Sequence, residues 1–205
     1  ASVTVAEASS QPKWDMGQRI TIDSASMFNK AMELIETKEF FGVRADQIET
    51  IVHPESLIHA LVGFNDGALM AHVGPPDMRH AIGFALNWPD RKELPVARLD
   101  LAQIGQLNFR APDDARYPAL AIAQKVMEQG GLTGAVFNAS KEQALDHFIA
   151  GSCGFTDMAR AVDSVVDAMS SRQGLQNDTI TLDSVKQADA EARALTTEYF
   201  AKTKG

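Results

Sequence analysis

The feature that most limits the fold is a change of hydrophobic period at Tyr117. Beyond it, apolar residues recur at helical spacing in four runs. Leu120, Ala123 and Met127 mark the first, and Ala135, Ala139, Leu145, Phe148 and Ile149 the second. Met158, Val162, Val165, Val166 and Met169 mark the third, and Leu182, Val185, Ala188, Ala192, Leu195 and Tyr199 the fourth. Gly130-Gly131 and Gly151 stop the first two, because a residue without Cβ readily takes the left-handed conformation that closes a helix. Phe155-Thr156-Asp157 caps the third, and the fourth starts at Thr181 or Leu182. Such stripes are stable only when buried against one another, so residues 115–205 are expected to form a small four-helix bundle.

The first half of the chain reads differently. Polar and apolar residues alternate from Arg19 to Ile22, which suits a short strand, and Asp23, Ser24 and Ser26 then supply helix-start chemistry. The helix is expected to run to about Phe41 and end at Gly42. Gln47–Val52, Ser56–Phe64 and Ala68–Val73 read as strands, the last two joined by the hairpin signal Asn65-Asp66-Gly67. Pro76-Asp77 opens a second helix that stops before Trp88-Pro89. The stretch from Asp90 to Pro112 is richer in charge and proline, with short strands at Leu99-Asp100-Leu101 and Leu107-Asn108-Phe109. The expected fold class is an α/β (α+β) domain with a small, mostly antiparallel sheet, followed by the bundle. The expected divisions are 1–89, a connector at 90–114, and 115–205.

The helix after Asp23 carries the clearest chemical pattern. Ser26, Asn29, Lys30 and Glu33 fall at i, i+3, i+4 and i+7 and share one face, opposite Met27, Phe28, Ala31, Leu34 and Ile35. A polar stripe on an amphipathic helix is ordinarily a solvated surface. Here, though, serines, an amide and a single lysine crowd the first two turns, which suits an oxyanion: free N–H groups, small donors and one ammonium. Glu33 adds a hard oxygen ligand beside that place.

Charge and composition set outer limits. A net charge of −8 over 205 residues argues against nucleic acid as the main partner, which would need clustered Lys and Arg. An anionic small molecule needs only local donors. The single cysteine, Cys153, permits no intrachain disulfide. No apolar run reaches the roughly 18 to 20 residues of a membrane helix, and Ala1–Glu7 lacks the basic start of a signal peptide. A bacterial cytoplasmic location, or the mature part of a plastid enzyme, is expected, with no membrane partner. None of the histidines His53, His59, His72, His80 and His147 pairs at zinc-type spacing with a third ligand in view.

Several separate stretches carry a family resemblance. Trp14-Asp-Met-Gly-Gln-Arg-Ile-Thr-Ile-Asp-Ser-Ala-Ser-Met-Phe-Asn-Lys30 with Glu33, Val52-His-Pro-Glu-Ser-Leu-Ile-His59, and Gly74-Pro-Pro-Asp-Met-Arg79 together resemble the 1-deoxy-D-xylulose 5-phosphate reductoisomerases. The resemblance implies a metal- and NADPH-dependent enzyme of isoprenoid biosynthesis that rearranges and reduces 1-deoxy-D-xylulose 5-phosphate to 2-C-methyl-D-erythritol 4-phosphate. It also implies a homodimer and a divalent ion, Mg2+, Mn2+ or Co2+. By the same resemblance Ser24, Asn29 and Lys30 hold the substrate phosphate and Glu33 is a catalytic metal ligand. His59 is a second catalytic residue that points into the pocket, Met78 helps form its wall, Trp14 belongs to a lid at about 9–17, and the Gly17 backbone lies against the dinucleotide. Gln11 stands where the family usually carries His, so it can donate a hydrogen bond but not hold a proton. Asn138-Ala139-Ser140-Lys141-Glu142 resembles a family Asn-Ala-Ala-Asn-Glu run, departs from it at Lys141, and is assigned to packing against the catalytic domain. No G-x-G-x-x-G occurs in the 205 residues, so the N-terminal NADPH-binding domain of the family is not in this chain, nor are the family's upstream metal-binding Asp and Glu. The alternative reading is a non-catalytic phosphate-binding or dimerisation module derived from that enzyme.

Overall fold

A computed structural model describes residues 3–10, 17–171, 175 and 180–203. Among these the chain is mostly helical, with one two-stranded antiparallel sheet. It separates into two compact units, Ala1–Glu49 with Asp113–Gly205, and Thr50–Pro112. These units do not follow the sequence-based divisions, because the first 49 residues pack with the helices after 113.

The first unit begins with α1 (Val5–Ala8), α2 (Gln18–Ala25) and α3 (Phe28–Phe41). The strand expected over Arg19–Ile22 is therefore helix. Four alternating residues fit either period, and burial decides between them: Thr21, Ile22 and Asp23 are all buried on α2. The single helix expected from Asp23 to Phe41 is broken at Ser26-Met27, where Met27 takes the left-handed conformation, φ 64°. Its far end is as expected: Gly42 is left-handed and its N–H donates to the Lys38 carbonyl at 2.9 Å.

The four expected helices after Tyr117 are present as α6 (Pro118–Gln129), α7 (Thr133–Ile149), α8 (Phe155–Ser170) and α9 (Leu182–Thr203). Pro118 opens α6 where its missing N–H has no helical partner to lose. The Asp157 carboxylate accepts from the Gly154 N–H at 2.9 Å and caps α8. Helix α7 packs against α8 and α9, and α3 packs on α6. The core joins Ile22, Phe28 and Ala31 of the early helices to Val126, Phe137, Leu145, Val162 and Ala192. The helical layer therefore includes α2 and α3 and is not confined to residues after 115.

The second unit holds β1 (Ile58–Gly63), β2 (Leu69–Val73), α4 (Arg79–Asn87) and α5 (Leu101–Ile104). β1 and β2 form the expected hairpin, with Leu61 opposite Ala71 and Gly63 opposite Leu69. Gly67 at φ 88° and the Asp66 carboxylate, which accepts from the Ala68 N–H at 2.9 Å, close its turn. The strand expected at Gln47–Val52 is absent. A 3-10 turn at Ala45–Gln47 takes its place, and only Val52 pairs, with Arg110, through bonds of 2.9 and 3.0 Å. Leu99-Asp100-Leu101 is not a strand either, because the Asp100 carboxylate accepts from the Ala102 and Gln103 N–H groups and starts α5. Helix α4 is as expected.

Candidate active site

The corner between α2 and α3 is built by two opposed requirements. Ser26 ends α2 by turning its hydroxyl back onto the Ile22 carbonyl at 2.9 Å, which uses the group that the stripe reading left free. Met27 then reverses the backbone at positive φ, an uncommon conformation for a side chain of this size. Phe28 immediately re-enters the core, its ring centroid 5.8 Å from that of Phe137.

Among the described residues no side chain caps α3. Its first N–H groups therefore point out of the corner without helical acceptors. Asn29, Lys30 and Glu33 stand over these first turns and are brought together: Asn29 Nδ2 donates to Glu33 Oε1 at 3.0 Å, and the Lys30 ammonium pairs with Glu33 Oε2. Lys30 and Glu33 side chains are 40% and 45% exposed, open enough to exchange these partners for a ligand. Ser24 lies on the α2 side of the break and is half-buried. Among the described residues its hydroxyl makes no hydrogen bond. Gly17 is the cap residue of α2 at φ 82°, a conformation that glycine takes without a Cβ penalty. Gln11, Trp14 and most of the expected lid lie outside the described residues.

Behind the corner lies a charge network that sequence reasoning missed. Asp23, read from sequence as a helix-start residue, is inside α2 and pairs with Lys141 of α7 at 2.8 Å; the residues are 6% and 5% exposed. Lys141 also pairs with Glu142, and Arg19, one turn before Asp23, pairs with Glu142 and Asp146. Burial pushes the Asp23 carboxyl up, and the hydrogen bond and charge of Lys141 oppose that rise. Glu142 is held below the usual carboxylate range: burial raises it, but Lys141 and Arg19 outweigh burial. Sequence reading singled out Lys141 and Glu142 only within the run assigned to packing against the catalytic domain, without their partners Asp23 and Arg19.

His59 and Met78 belong to the second unit. His59, on β1, donates from Nε2–H to the Gly74 carbonyl at 3.0 Å. His72 stands beside it, ring centroids 5.5 Å apart, and His80 beyond that. The His72 imidazole is lowered by burial and by its neighbours His59, His80 and Arg91. Met78 precedes α4 and is 65% exposed. Asp77 accepts from the Arg79 N–H at 2.9 Å and from its guanidinium, which lowers its carboxyl to about 2. A cleft of about 760 Å3 in this unit is lined by His80, Gly83, Phe84, Arg91, Leu94 and Arg98, and neither His59 nor Met78 borders it.

Among the described residues no three His, Cys, Asp or Glu side chains converge as a metal site. Glu33 fits a contribution of one ligand, a half-exposed hard carboxylate whose present partners are one amide and one ammonium.

Two family models match. One, the 1-deoxy-D-xylulose 5-phosphate reductoisomerase C-terminal domain, covers residues 1–41, and the DXP reductoisomerase C-terminal domain covers residues 73–195. The chain belongs to the DXP reductoisomerase family. It is the C-terminal part of such a protein. The reductoisomerase of Ruegeria pomeroyi is 66% identical over 205 residues, all of this chain and 52% of the relative. That of Paracoccus denitrificans is 54% identical over 199 residues, 97% of this chain and 51% of the relative. The chain thus spans about half the length of the curated relatives it matches. Among solved structures, the reductoisomerase of Zymomonas mobilis in complex with NADPH matches 98% of this chain and 50% of its own, with a TM-score of 0.87 at 38% identity. A DOX-P reductoisomerase in complex with NADPH, fosmidomycin and magnesium matches with a TM-score of 0.89 at 34% identity, again over 98% and 50%.

Proposed function

We propose that this chain is the phosphate-seating and C-terminal helical portion of an enzyme that rearranges and reduces 1-deoxy-D-xylulose 5-phosphate to 2-C-methyl-D-erythritol 4-phosphate with NADPH. The observation that carries the reading is the uncapped start of α3 with Asn29, Lys30 and Glu33 gathered over it. Substrate phosphate accepts from the first N–H groups of α3, from the Asn29 amide, from the Ser24 hydroxyl across the break, and from the Lys30 ammonium. Binding energy gained there, remote from the reacting carbons, is available to close the Trp14 lid and exclude water.

Glu33, whose present partners are the Asn29 amide and the Lys30 ammonium, would contribute one carboxylate to a divalent ion, Mg2+, Mn2+ or Co2+. Such an ion would supply Lewis-acid stabilisation of negative charge on the substrate oxygens. His59 presents its ring to the substrate, Met78 gives an apolar wall, Gln11 donates a hydrogen bond, and the Gly17 backbone meets the dinucleotide. The family's cofactor domain and a second copy of the chain are the expected partners. The exposed apolar side chains of the second unit, Met70 at 63% and Leu86 at 81% among them, support a protein partner there. A bacterial cytoplasmic enzyme agrees with the absence, among the described residues, of any helix long and apolar enough to cross a membrane.

The test is Lys30→Ala in the full-length protein. A charge-assisted bond of about 1.5–3 kcal/mol is lost, so KM for the sugar phosphate rises roughly 10- to 150-fold with little change in melting temperature. An unchanged KM with a lowered melting temperature assigns Lys30 to the fold and favours the non-catalytic reading.

A further inference from the structure

We infer that Lys141 and Asp23 form a positioning device that sets the spacing of the phosphate seat, an inference that rests on the seat proposed above. The seat is divided: Ser24 stands on α2, whereas Asn29 and Lys30 stand on α3, with the Ser26-Met27 break between them. Its geometry is therefore the geometry of that break. Met27 at φ 64° does not prefer the conformation it holds, so the surroundings must hold it.

Each arm of the corner is tied separately to α7. Phe28 fixes the start of α3 through its contact with Phe137. Asp23 fixes the end of α2 through Lys141 at 2.8 Å, and the Ser26 hydroxyl that closes α2 also reaches the Asp23 carbonyl at 3.2 Å. Arg19 repeats the attachment one turn earlier through Glu142 and Asp146. A lysine this far from solvent is rare unless paired, and the second Asp23 oxygen, Oδ1, is buried with no hydrogen bond among the described residues. Lys141 is thus the one partner of the Asp23 carboxylate among the described residues. Lys141 acts on the ligand through Asp23 and the adjoining Ser24, never by contact.

The experiment uses the full-length protein and two variants: Lys141→Met, and the double variant Asp23→Asn with Lys141→Gln, which leaves no buried charge and preserves the fold if the first does not. Three quantities are measured well below each melting temperature: KM for the sugar phosphate, Ki for inorganic phosphate as competitor, and kcat at saturation. KM and Ki are expected to rise together by about tenfold while kcat changes less, since a displacement of the order of 1 Å at a positioning element suffices for effects up to about a hundredfold. KM and Ki within about twofold of wild type in a folded variant overturn the inference and leave the pair a purely structural one. Lys30→Ala is run beside them. If it too leaves KM unchanged, the seat itself is wrong; if it raises KM while the Lys141 variants do not, only the positioning role fails.

Discussion

Glu33 makes two contacts in this structure that any metal would have to displace, one to the Asn29 amide and one to the Lys30 ammonium. As a half-exposed helix pair these stabilise the fold by no more than about 1 kcal/mol, so Glu33→Gln leaves stability within about 0.5 kcal/mol. If Glu33 is a metal ligand, the same change removes a negative charge from a hard-cation site. Turnover of the full-length protein then falls by more than the roughly 10- to 100-fold typical of outer-shell losses, and more metal is required for what remains. A metal titration of activity, wild type beside Glu33→Gln, checks this; superimposable curves return the residue to a solvated face. Asn29, Lys30 and Glu33 were legible because helical spacing alone gathers them. Ser26 was misplaced because spacing cannot show that a helix breaks inside the pattern. The Asp23–Lys141 pair was illegible because its members lie 118 residues apart and burial, which gives the pair its importance, is a property of the packed chain.

The break between α2 and α3 has a consequence of its own at the scale of elements. A β-branched residue at φ 64° meets more steric opposition than an unbranched one. Met27→Val is therefore expected to cost about 1–3 kcal/mol, where Met27→Leu, unbranched at Cβ and similar in volume, costs less than about 1.5 kcal/mol. Denaturant melts of the full-length protein with both substitutions compare them, and equal losses would show that packing, not backbone conformation, sets the cost. Elements with long single-period stripes, α6 to α9, were read from sequence close to their ends. Strands were read less well, because a four-residue alternation such as Arg19–Ile22 carries too few turns to distinguish a period of 2 from 3.6. At Leu99-Asp100-Leu101 the competing signal was capping chemistry in Asp100.

On the scale of the molecule, the two units differ in how they are held. The buried core lies in the first unit, whereas β1 and β2 of the second are almost wholly exposed, and a lone two-stranded hairpin is marginal in water. Among the described residues neither unit carries the parallel strands of a Rossmann-type dinucleotide site. Such cofactors bind at the carboxyl ends of parallel strands, over a glycine-rich turn that meets the start of a helix. The 205 residues contain no G-x-G-x-x-G, and among the described residues the one sheet is antiparallel. Gly17 supplies a positive-φ backbone conformation at the start of α2. This chain by itself is therefore expected to leave NADPH fluorescence unchanged throughout the micromolar range, while the full-length protein alters it. Micromolar binding by the isolated chain would mean that the dinucleotide is held by the α2–α3 corner or by the cationic cleft of the second unit, and the division of labour argued for this half of the enzyme would have to be redrawn.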